Sequence, residues 1–431
     1  MAGTIKEIAP GIDATDGFGR SKSQKKQNPR FVSGFRYIAK QLLQLGRWEA
    51  GMELFRLTAS YVKLGVPVPG DILDEAGHLM LSKGHVVEDP ERLEHLLARG
   101  LFVDMRVFEA QFRPQASDPG AAPVVENHYD PFAVHESLKT RLNRLLREVL
   151  GGSAKPAEIV ELAEQVRAFA GRDVEAAVAS SLLDRHEEVY PVGHSLSAAV
   201  LCAAVGHHMA WPEARQTATV CAALTMNLGM LEYHQRLHRQ ATPLTVPQRE
   251  QLQQHPDASV KLLQAIGVTD AVWLDAIRQH HETHDGSGYH HLAAPGEASQ
   301  LLRVADVFDA RSNARADRKA LAPAQVIRSL FADEGKGPCA AFANALVKLF
   351  GLYPPGSFVR LANNEQAVVF RHGESPTTPV VAAVTTSSGS PLMKPVRRDT
   401  GRKDFTVTGT FVPEKLAFGY ELGKLWVARN A

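Results

Sequence analysis

The densest run of groups able to do chemistry is Gln279–His290, Q-H-H-E-T-H-D-G-S-G-Y-H. Neutral imidazoles and carboxylates are the usual ligands for Zn, Fe, Mn or Ni. This run supplies His280, His281, Glu282, His284 and Asp285 almost without interruption. The apolar residues before it, Val272 to Ile277, recur at helical spacing, so the paired histidines fall at the C-terminal end of a helix. The D-G-S-G run then ends that helix, because glycine adopts positive φ at little cost. A helix end with surface histidines accounts for the local pattern equally well, since His is favoured there. The metal reading gains weight from residues elsewhere. His194-Ser195 opens an apolar helix, His255-Pro256 follows the polar helix Pro247–Gln254, and Asp306 and Asp309 stand in V-A-D-V-F-D-A.

The elements that must position these groups can be read from periodicity. Apolar residues at helical spacing run from Pro131 to Tyr353, broken by glycine, proline and polar turns, and predict a compact all-α bundle. Its expected helices include Pro131–Leu150, Pro156–Ala170, Ala176–His186, His194–Met209, Glu213–Leu231, Pro247–Ile266, Thr269–His281, Glu297–Ser312, Ala322–Phe331 and Ala340–Phe350. After Pro354-Pro355-Gly356 the period becomes two, which predicts a β-rich extension of three to five strands over 354–431, ending in a helix-prone stretch Pro413–Trp426. Before the bundle, residues 1–34 read as a disordered tail. Residues 35–112 read as a small α+β accessory domain with a short helix in Phe35–Leu57, then strands, then a helix at Pro90–Arg99. Residues 113–130 read as a linker. The expected fold is therefore an all-α domain, 131–353, flanked by an N-terminal α+β domain and a C-terminal β-rich extension.

Composition limits the classes of function. A formal net charge of +1 over 431 residues, with 22% charged residues, argues against DNA or an anionic membrane as the main partner. No apolar run reaches the ~18 residues of a membrane span, and Met1–Arg20 lacks the pattern of a signal peptide. The expectation is a cytoplasmic protein. Cys202, Cys221 and Cys339 lie in apolar helical patterns, as buried free thiols rather than disulfides or a zinc site.

In this order, His194-Ser195, L-T-x-x-Q-R-E with His255-Pro256, H-H-E-T-H-D-G-S-G-Y and D-V-F-D-A followed by R-A-D-R resemble the HD-GYP family. This is a branch of the HD phosphohydrolases that hydrolyses cyclic di-GMP, and the resemblance covers roughly Pro191–Tyr353. It implies metal ligands at His194, His255, His280, His281 and Asp306. It implies substrate contacts at Arg315, Arg318, Gly286, Gly288 and Tyr289, the last available to pack on a base. Guanidinium forks suit phosphate, although Arg315 and Arg318 could equally pair with Asp309 or Asp317.

The departure from the family is local. Where the family reads A-A-L-L-H-D-I-G-K, this chain reads Ala222-Ala223-Leu224-Thr225-Met226-Asn227-Leu228-Gly229-Met230. The His-Asp pair has become Met226-Asn227, the lysine Met230, and the proline of G-Y-P is His290. Asn227 offers only a neutral carbonyl and Met226 a soft thioether, so the charge that would bridge two cations is lost. The expectation is at most one divalent ion (Fe, Mn or Zn), no catalytic set, and a protein that binds cyclic di-GMP or a signalling partner with little or no hydrolysis. The alternative is an active phosphodiesterase with a rearranged or one-metal site, and a homodimer is left open. His207, His208, His234 and His238 are expected at the surface, although His234 and His238 have the i,i+4 spacing of one helix face.

Overall fold

The computed structural model describes residues 129–427, apart from 185–188, 284, 291–294, 335–338 and 414–421. N-terminal to these it describes short segments between Leu54 and Asp104. The expected tail 1–34, the expected first helix, most of the expected helix Pro90–Arg99, the linker as far as residue 128, and His284 lie outside the described residues. The chain divides into two units, Met1–Val125 and Glu126–Ala431.

The first unit holds an antiparallel sheet in the order β1 (Leu54–Leu57), β4 (Leu101–Asp104), β2 (Ile72–Leu73), β3 (Leu79–Leu81). Leu57, Ile72, Leu81, Leu101 and Val103 form its core. The strand Leu54–Leu57 pairs with β4, Leu57 opposite Leu101.

The second unit is built on helices α1 (Pro131–Leu150), α2 (Pro156–Arg172), α3 (Val174–Leu183), α4 (Tyr190–His208), α5 (Glu213–Thr225), α6 (Leu231–His238), α7 (Val246–Gln253), α8 (His255–Ala265), α9 (Ala271–Gln279), α10 (Glu297–Ser312), α11 (Pro323–Glu334) and α12 (Ala340–Phe350). Local chemistry sets the ends of the helices. Asp130 accepts from the Phe132 and Ala133 N–H groups at the start of α1. Asp173 caps α3 through the Ala176 N–H, and Asp270 caps α9 through the Trp273 N–H. Such caps satisfy backbone donors that a helix leaves open. Helix α4 is buried on every side from Tyr190 to Gly206, the mark of a central core helix, and α2, α5 and α10 pack around it. Cys202, Cys221 and Cys339 are buried and joined by no disulfide.

Two expected helices are each broken in two. Glu213–Leu231 stops at Thr225, and a 3₁₀ turn, Leu228–Met230, leads into α6. Pro247–Ile266 breaks at Gln254, where α8 starts with Pro256 in its first turn. Proline cannot continue a helix from the preceding turn, because it lacks the N–H and crowds the residue before it.

The C-terminal sheet is antiparallel, in the order β8 (Pro391–Asp399), β7 (Val380–Thr385), β6 (Gln366–Arg371), β5 (Phe358–Leu361), β9 (Val407–Phe411). One of its faces shares a core with α3: Ala176 and Ala179 pack with Phe358, Val368, Phe370 and Trp426. Trp426 lies in the short helix α13 (Lys424–Val427) and donates its indole N–H to the Phe370 carbonyl at 3.1 Å. The helix-prone stretch Pro413–Trp426 is described as helix only at Lys424–Val427. Among the described residues, no helix is long and apolar enough to cross a membrane.

Candidate functional site

Three histidines converge where α8 meets the end of α9. The ligating atoms of His255, His280 and His281 lie within 4.8 Å of one another. His255 opens α8 and its Nδ1 sits 2.7 Å from the Leu252 carbonyl; His280 caps α9 with Nδ1 2.6 Å from the Ile277 carbonyl. A carbonyl only accepts, so each Nδ1 carries the proton and each Nε2 keeps a lone pair. The two Nε2 atoms face each other at 3.3 Å. Burial, reinforced by the neighbouring imidazole, lowers the pKa of His255 to about 3 and holds His281 well below the usual range; burial also lowers that of His280. Neutral imidazoles with facing lone pairs repel one another unless a cation sits between them. Backbone carbonyls that fix the tautomer are the outer support of ligating histidines. The donor set therefore fits a divalent ion.

The G-S-G-Y loop closes over this group. Tyr289 stacks on His281, ring centroids 4.3 Å apart. Glu282, which is buried, accepts the His290 N–H at 2.9 Å and so organises the loop. A Cβ on Gly288 would lie 2.5 Å from Glu282 Cα and 2.6 Å from the His281 carbonyl oxygen, so only glycine lets the loop approach this closely. Gly286 has φ +73°, the left-handed conformation that a side chain disfavours. Asp285 accepts from the Ser287 N–H and from the Thr283 hydroxyl, which closes the turn.

The other two expected ligands bond each other. His194, on buried α4, places Nε2 2.8 Å from Asp306 and Nδ1 2.7 Å from Asp309, both on α10. Burial opposes charge on His194, but its hydrogen bonds to the two carboxylates and their charges outweigh this and push its pKa up to about 10. Burial likewise opposes ionisation of Asp306, and the hydrogen bond and charge of His194 reverse it, holding the carboxylate well below its usual range. Neither residue belongs to the group formed by the three histidines. Asp309, weighed from sequence as an arginine partner, is instead committed to His194.

Tyr190 extends this unit outward. It stacks on His194 at 5.4 Å and on His238 at 3.9 Å, and meets His234 edge-on at 5.0 Å. The expectation of surface histidines holds for exposed His207 and His208 and fails for His234. His234 packs edge-on against His194 at 5.7 Å, and its buried Nδ1 has no hydrogen-bond partner among the described residues. Burial, with His194 and His255 adding to it, keeps its pKa well below the usual range.

The departure from the family motif sits against α8. Met226, Asn227 and Met230 are all buried. Ser259 Oγ is 2.8 Å from the Met226 carbonyl and accepts the Gly229 N–H at 2.8 Å, tying the 3₁₀ turn to the helix that starts at His255. A Cβ on Gly229 would lie 2.7 Å from the His255 carbonyl oxygen. The Asn227 side chain is only 3% exposed, and its Nδ2 has no hydrogen-bond partner among the described residues.

The expected phosphate arginines are engaged by their own loop and by the end of α10. Arg315 pairs with Asp317 through Nε at 3.0 Å and a terminal nitrogen at 2.8 Å. Arg318 donates to the Ala310 carbonyl, and its backbone bonds that of Arg315 in both directions. Sequence reading overlooked Arg303, whose charge bears on His280, His281 and Tyr289. The available signal was its position three residues before Asp306, on the same helix face. A second group, His135, Glu136 and Asp184, also brings ligand atoms together. There the Lys139 ammonium already lies 2.8 Å from both carboxylates.

The chain matches the family model described as HD domain over residues 177–336. It is 26% identical over 285 residues, 65% of its length, to the cyclic di-GMP phosphodiesterase PA4108 of Pseudomonas aeruginosa. The match spans 66% of that relative's length. Among solved structures it is similar to Bd1817, an HDG"Y"P protein of Bdellovibrio bacteriovorus. That similarity has 15% identity and a TM-score of 0.48, over 69% of this chain and 99% of the other.

Proposed function

We propose that this chain is a degenerate HD-GYP protein of cyclic di-GMP signalling, which binds the nucleotide or a signalling-protein partner and hydrolyses little or none of it. One observation carries the reading. Asn227 stands where the family has its metal-bridging aspartate, buried, neutral and with no partner for its Nδ2 among the described residues, while the ligating atoms of His255, His280 and His281 still converge within 4.8 Å. Divalent ions in such a centre activate water and polarise phosphate oxygens. In this chain His255, His280 and His281 would hold one ion, while Asp306 is held by His194 and Met230 supplies no ammonium. Arg315 and Arg318 supply phosphate contacts, with Arg303 a further positive charge near Tyr289.

The test uses purified protein loaded with Mn or Fe. Cyclic di-GMP should bind in a calorimetric titration and yield no linear dinucleotide or GMP. Arg315→Ala should weaken binding about tenfold or more, since an arginine–phosphate contact is worth roughly 1.5–3 kcal/mol. Turnover at ordinary enzyme rates would sink the reading, and absence of binding at high micromolar nucleotide would leave only a protein-partner role. The second reading, a phosphodiesterase with a rearranged site, is favoured by the unpaired His234 Nδ1 beside His194. It requires turnover that His234→Ala abolishes.

A further inference from the structure

Between the end of α10 and the C-terminal sheet lies a cavity of about 300 Å³. Its walls are apolar, with Leu183 from α3, Pro323 from α11, and Phe358 and Phe411 from β5 and β9. The two phenylalanines form a tilted pair with ring centroids 5.8 Å apart. Polar groups also line it. Ser357 is 2% exposed and its Oγ has no hydrogen-bond partner among the described residues. Asn313 spends its Nδ2 on the Asp309 carbonyl and keeps Oδ1 as an acceptor. Arg315, which is exposed, brings a guanidinium. Ligand sites have this anatomy: apolar and aromatic walls, a few placed polar groups, and a volume of about 300–1,000 Å³.

We propose that this cavity takes the purine base of a nucleotide, with Arg315 meeting the adjoining phosphate. The volume is at the lower end of the ligand range, which suits one ring system and not a peptide. Aromatic walls favour a flat heterocycle, and a buried hydroxyl with an amide oxygen suits a base edge that both donates and accepts. One guanidinium, partly neutralised by Asp317, matches a phosphodiester or monophosphate rather than a polyphosphate. The cavity also adjoins the candidate site. His238 lines it and stacks on Tyr190, which stacks on His194. The inference deepens the nucleotide-binding reading and rests on it for the ligand's identity, since it assigns one base of the cyclic dinucleotide to a cavity half built by the C-terminal sheet.

Full-length protein should be titrated calorimetrically with cyclic di-GMP and, separately, with GMP. Two variants accompany it. Ala314→Trp puts an indole at the mouth from an exposed alanine that lines the cavity. Ser357→Ala removes only the unpaired hydroxyl. Both nucleotides should bind the native chain, Ala314→Trp should weaken both at least tenfold, and Ser357→Ala several-fold, with melting temperatures unchanged. Should Ala314→Trp fail to fold, Ser357→Ala decides. Cyclic di-GMP binding that neither variant alters overturns the cavity assignment and leaves the nucleotide reading standing. GMP binding that the variants weaken, without cyclic di-GMP binding, upholds the cavity and overturns the cyclic di-GMP reading. Binding of neither nucleotide overturns both.

Discussion

His255 and His280 each use one ring nitrogen on a carbonyl of their own chain three residues earlier, so the backbone sets both tautomer and direction. This makes the centre sensitive to acid. The folded pKa of His255, about 3, lies below the ordinary ~6.5 of an unfolded histidine. Between those values the unfolded chain binds a proton that the folded chain does not, so stability falls as pH falls. His280, His281 and His234 shift in the same direction. His194 has the opposite sign: its folded pKa of about 10 contributes stability that is complete below ~6.5 and is lost as pH rises through 10. In chelator, the melting temperature should fall on both sides of about pH 6.5. His255→Gln should flatten the acid limb and His194→Gln the alkaline limb. Unchanged limbs would show that these histidines are not held as described. The run at Gln279–His290 was legible because ligating residue types cluster in it. The pairing of His194 with Asp306 and Asp309 was not, because it depends on how α4 and α10 pack.

The 3₁₀ turn Leu228–Met230 shows how an element serves the site from behind. Ser259 and Gly229 hold it against α8, with the Gly229 Cα too close to the Ala258 Cβ and the His255 carbonyl for any side chain. Gly229→Ala should therefore displace α8 at His255. Forced overpacking of this kind costs about 1–3 kcal/mol, measurable by chemical denaturation, and the variant should also lose affinity for Zn or Mn in a metal titration. Full metal affinity with native stability would mean that the turn does not position His255. Periodicity marked the bundle helices well but joined Glu213–Leu231 into one, because Met, Leu and Gly carry no break signal as strong as proline. With the helix expected to end at Leu231, α6 was not foreseen and His234 was assigned to solvent. Ser259 was missed for a simpler reason: one serine on a helix makes no pattern.

At the scale of the molecule, the helical bundle and the C-terminal sheet are joined by a common core. Trp426 is fully buried against Phe132 of α1 and Phe370 of β6, and Glu175 of α3 accepts both from the His372 backbone N–H at 2.8 Å and from its ring at 2.6 Å. Trp426→Ala should cost about 3–5 kcal/mol, read as a lower denaturation midpoint, with faster hydrogen exchange in β5 and β6. A loss confined to the last residues would show that Trp426 does not anchor the sheet. The change of period after Gly356 made the sheet legible. Its seat on α3 was not, since Ala176 and Ala179 read in sequence only as helix formers.

The buried cysteines carry a practical consequence. Cys202 and Cys221 are 1% exposed and Cys339 5%, and burial raises the thiols of the first two well above their usual range. Thiolate, not thiol, reacts with electrophiles, so the three native sulfurs are silent toward a labelling reagent while the fold is closed. A dye attached through one added surface cysteine reports from that position alone, and modification of the native three becomes a clock for opening of the bundle.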